Sequence, residues 1–209
     1  MMSKIIPVVV NYYSHKKFPG AVIVDNTKNN RGFAKAVNIG IKKALKIGAE
    51  KIILINPDIK ITKKDITDLS TDDADIVGPV LLSDGVYDYG GKVNWVLGRT
   101  SHLRHSGLSR INNISGACMV IDKKVFEKIG FFDERFFMYF EDADFCLRAK
   151  QAGFSIKINP KVIINHRLTK NTQKNNYVLA SNKKFIDKWI KWYLRPAGYL
   201  YLWMLQKLL

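Results

Sequence analysis

The sequence predicts an α/β fold, a mostly parallel sheet flanked by helices, and three observations carry that expectation. Short β-branched runs, IIPVVV, AVIVDN and KIILI at 5–10, 21–26 and 51–55, read as buried strands. Between the second and third lies NNRGFAKAVNIGIKKALKIG, where Phe33, Val37, Ile41, Ala44 and Leu45 recur at helical spacing and Gly48 closes the helix. Strand, helix, strand in that rhythm is the pattern of a parallel sheet. Finally, Asp25 and Asp58 follow strand ends, where open sheets bind ligands.

The remaining elements follow in order. Pro57 cannot donate to a sheet ladder, so the strand ILI must stop at Asn56-Pro57-Asp58. Residues 62–75 read as a short helix with polar flanks and 75–82, DIVGPVLL, as a strand. From Ser83 to Asn113 the chain is rich in Gly, Ser, Asn and Arg without periodicity, which suggests hairpins and a mobile loop. ISGACMVIDKKVFEKIG supplies a strand, a turn and a brief helix. A further helix runs from about Glu141 to Ala152 with Gly153 as its cap, and SIKINPKVIINH closes the core with a short strand or two.

Composition bounds the function. At 209 residues, with 47% hydrophobic and 25% charged side chains, the chain suits one domain with an appendage, here 1–166 and 167–209. No apolar run reaches the roughly 20 residues that span a bilayer, and the first residues are too short and weak for a signal peptide. Two widely spaced cysteines suggest reduced, buried thiols and a cytoplasmic setting. Thirty-four basic against 18 acidic residues give a net charge of +16, which favours an anionic partner or simply solvates a surface. From Pro160 onward ten Lys or Arg face one acid, Asp187, and three of the four tryptophans fall in the last stretch. That tail reads as an interfacial amphipathic helix on the inner membrane face, with a bend at Pro196 and Gly198, or as a helix packed on the core or a dimer mate.

Three acidic groups stand at element boundaries: Asp25, Asp58, and Glu141 with Asp142 and Asp144. Singly, each has a plain structural reading as a turn or a helix-dipole partner. In FFDERFFMYFEDADF, however, seven aromatics surround five acids, and aromatic walls raise a carboxylate's pKa, as a general base requires. Upstream, Ser115-Gly116-Ala117 are small enough to let a ligand approach the backbone.

NNRGFAKAVNIGI, ILINPDI and the long block ISGACMVIDKKVFEKIGFFDERFFMYFEDADFCLRAKQAGF, in that order, resemble the rhamnosyltransferase-like branch of the family 2 glycosyltransferases over about 22–166. The resemblance implies a GT-A-like, Rossmann-type fold, a nucleotide-diphosphate-sugar donor, a lipid-linked or glycan acceptor and inversion at the anomeric carbon. It further implies donor contacts from Asp25, Asn30, Gly32, Asn56, Asp58, Ser115 and Gly116. Asp58 and His166 would bind Mg²⁺ or Mn²⁺, although His166 also reads as an exposed tail residue. Asp142 would be the base, with Glu141 beside it, and Asp144 would support the helix start or contact acceptor, with Arg148 one turn on as its partner.

The N-terminal region is shorter than the family's. Only Tyr12–Gly20 separate the first two strands and Thr27–Asn29 precede the GFA block. Asp25 is then either the base-contacting aspartate with the following helix deleted, or part of a later strand with no inherited role. A trimmed base pocket leaves open a homo-oligomer that completes it, weak donor binding, or a catalytically retired protein. Nucleic-acid binding driven by charge is the rival from another class; Lys188, Trp189, Lys191 and Trp192 hint at it, but no motif accompanies them.

Overall fold

The computed structural model describes residues 4–12, 18–105, 111–166 and 174–208. Its strands are β1 (Ile5–Asn11), β2 (Val22–Asp25), β3 (Lys51–Ile55), β4 (Ile76–Ser83), β5 (Val86–Asp88), β6 (Gly91–Asn94), β7 (Arg99–His102), β8 (Cys118–Asp122) and β9 (Ile156–Asn165). Its helices are α1 (Phe33–Lys46), α2 (Lys63–Ser70), α3 (Lys123–Ile129), α4 (Glu141–Gln151), α5 (Lys174–Trp189) and α6 (Arg195–Leu208).

The main sheet has seven strands in the order β2-β1-β3-β8-β4-β5, with β9 on the other edge of β4. β1 runs parallel to β2 and β3, and β4 to β9, whereas β8 is antiparallel to β3 and β4, and β5 to β4. Five of the seven therefore point one way. Prolines sit where the ladder can spare a donor. Pro7 pairs across to Ile53, but β2 begins only opposite Val8. Pro79 falls between the segments of β4 paired to β8 and β5, and on its other side the register with β9 slips between Pro79 and Val80. The expected short strand or two at 155–166 is accordingly one long strand with a bulge.

Alternate residues of each strand serve opposite faces, as a pleated sheet requires. Ile6, Val8, Ile52, Leu54, Met119 and Ile121 pack under α1, α3 and α4, and Val9, Ile53, Ile55, Val77 and Val120 under Leu69 of α2. α2 opens on a Thr62–Asp65 capping box, and α1 ends at Gly48, whose φ is +87°. The hairpins expected in 83–113 are present as β4–β5 and β6–β7; 106–110, where part of the expected loop falls, lies outside the described residues.

Of the last 35 described residues, α5 follows the core-packed alternative, while α6 keeps an exposed apolar stripe. Phe185 and Ile186 of α5 and Ile190 just beyond it are buried, Phe185 in a cluster with Val93, Phe136, Ala143 and Leu147. α5 thus belongs to the body. The break lies at 190–194, not at Pro196 and Gly198. Arg195 donates to the carbonyls of Asp187 (2.7 Å) and Ile190 (3.1 Å), closing the end of α5, while Pro196 occupies the first turn of α6, where no helical donor is lost.

Candidate active site

At the carboxyl end of β3 the Asn56 N–H donates to Ala117 O (2.8 Å), and Ile59 N–H to Asn56 O (3.1 Å), so the Asn56-Pro57-Asp58 turn is bound to the segment entering β8. β9 ends nearby: Ile59 forms a bridge with His166, and His166 Nε2 lies 3.5 Å from Asp58 Oδ2. Asp58 Oδ1 is buried without a hydrogen-bond partner among the described residues. An orphaned carboxylate oxygen beside an imidazole fits a divalent cation: Mg²⁺ takes oxygen, and Mn²⁺ accepts imidazole as well. Among the described residues no group of three His, Cys, Asp or Glu surrounds this point. The rest of a coordination shell would fall to substrate phosphates and water.

The same short segment holds the other carboxylate. Gly116 N–H donates to Asp142 Oδ2 (3.0 Å), and Ala143 N–H to Asp142 Oδ1 (2.7 Å). A Cβ on Gly116 would touch Phe33 and Asp142 at 3.4 and 3.5 Å, so protein side chains already occupy the approach left by its missing side chain. Ser115 Oγ accepts from Ala117 N–H at 3.3 Å. Burial pushes the Asp142 pKa up, against the pull of those two N–H donors and of His102. Glu141 is buried, with Oε2 lacking a partner among the described residues; burial first, and Asp142 second, hold its pKa well above the carboxylate range.

Backbone strain delivers this pair. Tyr139 and Phe140 both take positive φ, 69° and 65°, and Phe140 is the N-cap of α4 without a side-chain cap bond. The preceding aromatic arch is held from α1: Asn38 exchanges amide bonds with Phe132 (2.9 and 3.0 Å), and Phe33 N–H donates to Phe137 O (2.6 Å). A Cβ on Gly32, at φ +80°, would lie 2.4 Å from Phe137 O.

The other expected donor contacts lie further along the sheet edge. Asp25 ends the edge strand β2, two strand spacings or about 10 Å from β3, and its Oδ1 accepts from Thr27 N–H (2.8 Å). Asn30 builds its own loop, accepting from Gly32 N–H (3.0 Å) and Asn26 Nδ2 (3.2 Å) and donating to Tyr12 Oη (3.2 Å). Asp144 is fully buried among Arg148 Nε (2.9 Å), Lys188 Nζ (2.6 Å) and Trp189 Nε1 (2.9 Å). It ties α4 to α5, and the expected pairing with Arg148 is present.

One pair lay beyond the sequence reading. His102 on β7 places Nδ1 2.7 Å from Asp88 Oδ2, which holds its pKa up, and its charge acts on Asp142. A histidine and an aspartate fourteen residues apart in an aperiodic stretch leave no sequence signal.

A mostly parallel sheet flanked by helices, with one acid beside an imidazole at its carboxyl edge and another half-buried at a helix start, is the architecture of a GT-A-type fold. The solved structure of GalNAc-T7 with UDP, GalNAc and Mn²⁺ shares that fold, with a TM-score of 0.64 over 86% of this chain and 47% of the other at 14% identity. The sequence model of Glycosyl transferase family group 2 matches residues 83–208, and the chain belongs to that family. Among curated relatives, the low-salt glycan biosynthesis hexosyltransferase Agl10 of Haloferax volcanii is 31% identical over 61% of this chain and 46% of its own. The dTDP-rhamnosyl transferase RfbF of Shigella flexneri is 31% identical over 66% and 50%. An N-acetylglucosaminyl-diphospho-decaprenol L-rhamnosyltransferase of Mycobacterium tuberculosis is 36% identical over 26% and 18%. The chain spans about half the length of the first two.

Proposed function

We propose that the chain is an inverting glycosyltransferase that moves a sugar from a nucleotide-diphosphate sugar to a lipid-diphosphate-linked glycan acceptor. One observation carries the reading: Asp142, half-buried and aimed by two backbone N–H groups, shares a segment with the turn that bears Asp58. The acceptor hydroxyl gives its proton to Asp142 as its oxygen bonds to the anomeric carbon, and the bond to the diphosphate breaks with its electron pair. Such a base contributes about 10²–10⁴-fold. Asp58 and His166 would hold a divalent cation, which when bound neutralises charge on the departing diphosphate. In this reading Asn56 and Ser115 would face the donor beside Asp58, Asp25, Asn30 and Gly32 would reach it only from the edge-strand loop, Gly116 serves to aim Asp142, and the raised pKa of Glu141 leaves Asp142 the more readily ionised carboxyl.

The relatives' names support the donor and acceptor classes, one being a dTDP-rhamnosyl transferase and another acting on a diphospho-decaprenol. No helix among the described residues is long and apolar enough to cross a membrane. The exposed stripe Leu200, Trp203, Met204 and Leu208 on α6, near Lys207, instead supports contact with an anionic membrane surface. Calorimetric titration with UDP-, GDP- and dTDP-sugars, with Mn²⁺ and with EDTA, tests the reading. A donor should bind in Mn²⁺ and not in EDTA, and Asp58→Asn should abolish that difference; no binding under any condition refutes it.

A further inference from the structure

A groove of about 560 Å³ lies on the flank of α4 that faces α5, walled by Trp95, Leu147, Trp189, Tyr193 and Leu194. Its volume is that of a small-molecule site, roughly 300–1,000 Å³. Its walls are pinned. Asn94 Oδ1 accepts from the N–H groups of Val96 and Leu97 (3.0 Å each), fixing the turn that presents Trp95, and Asn182 Nδ2 donates to Gly98 O, clamping that turn onto α5. Trp189 is fixed by its bond to Asp144. Lys150 and Lys191 stand among the lining residues, Lys191 5.9 Å from the Tyr193 ring, and none of the lining residues is acidic.

A rigid apolar trough flanked by two cations suits an amphiphile with an anionic head. The polar groups on its wall are the Tyr193 hydroxyl, the Trp95 indole N–H, Gln151 and two lysines, with no carboxylate to grip sugar hydroxyls. Position adds to this. α4 carries the candidate base at its start and the groove towards its end, Leu147 and Gln151 lying about 7.5 and 13.5 Å further along the axis and roughly 140° and 180° round it from Asp142. An acceptor joining the two would have to pass round the flank of α4 that bears Lys150, roughly 80° from Asp142. We infer that the groove binds the isoprenoid chain of the lipid-diphosphate acceptor, with Lys150 and Lys191 facing its phosphates. The inference rests on the reading of the acceptor given above and names the part of the chain that holds it.

The test is calorimetry of the full chain, in EDTA and without donor, against inorganic pyrophosphate, geranyl diphosphate and farnesyl diphosphate. Affinity should be undetectable for pyrophosphate and rise about tenfold or more per added isoprene unit. Trp95→Ala and Tyr193→Ala, both at exposed positions and checked for folding by circular dichroism, should each weaken farnesyl diphosphate about tenfold. Affinity independent of chain length, or unchanged in both variants, overturns the inference. So does displacement of farnesyl diphosphate by a neutral oligosaccharide, or phosphatidylglycerol-vesicle binding that Trp95→Ala and Tyr193→Ala abolish while farnesyl diphosphate is not bound at all, which would assign this face to the bilayer. Because neither donor nor turnover enters, prenyl binding without sugar transfer would refute the proposed reaction and leave the groove assigned.

Discussion

Asp142 is subject to opposed influences: burial favours its protonated form, while Gly116, Ala143 and His102 favour the carboxylate. A base must be ionised, so activity should fall as pH drops through a value above the ordinary carboxylate pKa. Asp142→Asn should lower kcat by about 10²–10⁴-fold with donor affinity retained, as transfer assays and titration would report. His102→Gln removes a positive charge and should move the acidic limb of the kcat/KM profile to higher pH. Glu141 gives the opposite kind of signal. Its folded pKa is raised, so its contribution to stability is full below the unfolded value and is lost as pH rises through the folded one. Glu141→Gln should therefore melt above the wild type near pH 7 and level with it at about pH 4.

Among the elements, α4 and α5 show both what sequence periodicity conveys and what it hides. α1 and α4 were legible to within a residue or two, because their apolar spacing and terminal glycines point the same way. α5 was not: an amphipathic, basic, tryptophan-bearing segment has the same pattern whether its apolar face meets a bilayer or a protein core. What decides is Asp144, whose buried carboxylate is matched by Arg148, Lys188 and Trp189. Two of those partners belong to α5, which no local window connects to position 144. Asp144→Ala would remove the acceptor shared by Arg148, Lys188 and Trp189, leaving Arg148 on the Ile129 and Phe131 carbonyls and Lys188 on Asp133, and should cost about 3 kcal/mol in urea denaturation. The hairpins at 83–113 lacked any period, so their existence was readable from turn residues but their strands, and the His102–Asp88 pair they carry, were not.

In the molecule as a whole, the carboxyl edge of the sheet collects Asp58, His166, Gly116 and Asp142 from four separate stretches. The end of β3 was visible in the sequence and drew attention to Asp58, whereas Gly116, Asp142 and His166 were named through the family resemblance; their mutual bonds depend on β8 running antiparallel between β3 and β4, which no local pattern conveys. Charge is a property at this scale too. With +16 overall and an apolar stripe on α6, association with anionic vesicles should weaken with salt, each lysine near the surface contributing about 1 kcal/mol. Leu200→Ser with Trp203→Ser should abolish it in co-sedimentation; cutting the chain before α5 would remove Phe185, Ile186 and Ile190 from the core and test folding instead. The contact of Gly32 with the Phe137 carbonyl reaches furthest. It leaves no room even for a methyl group, so the loop that opens α1 and the arch leading to Asp142 pack directly on one another and must move together. A sugar nucleotide seated against that loop would be sensed where the acceptor docks, and the two substrates should load in compulsory order, visible as competitive product inhibition against the first alone.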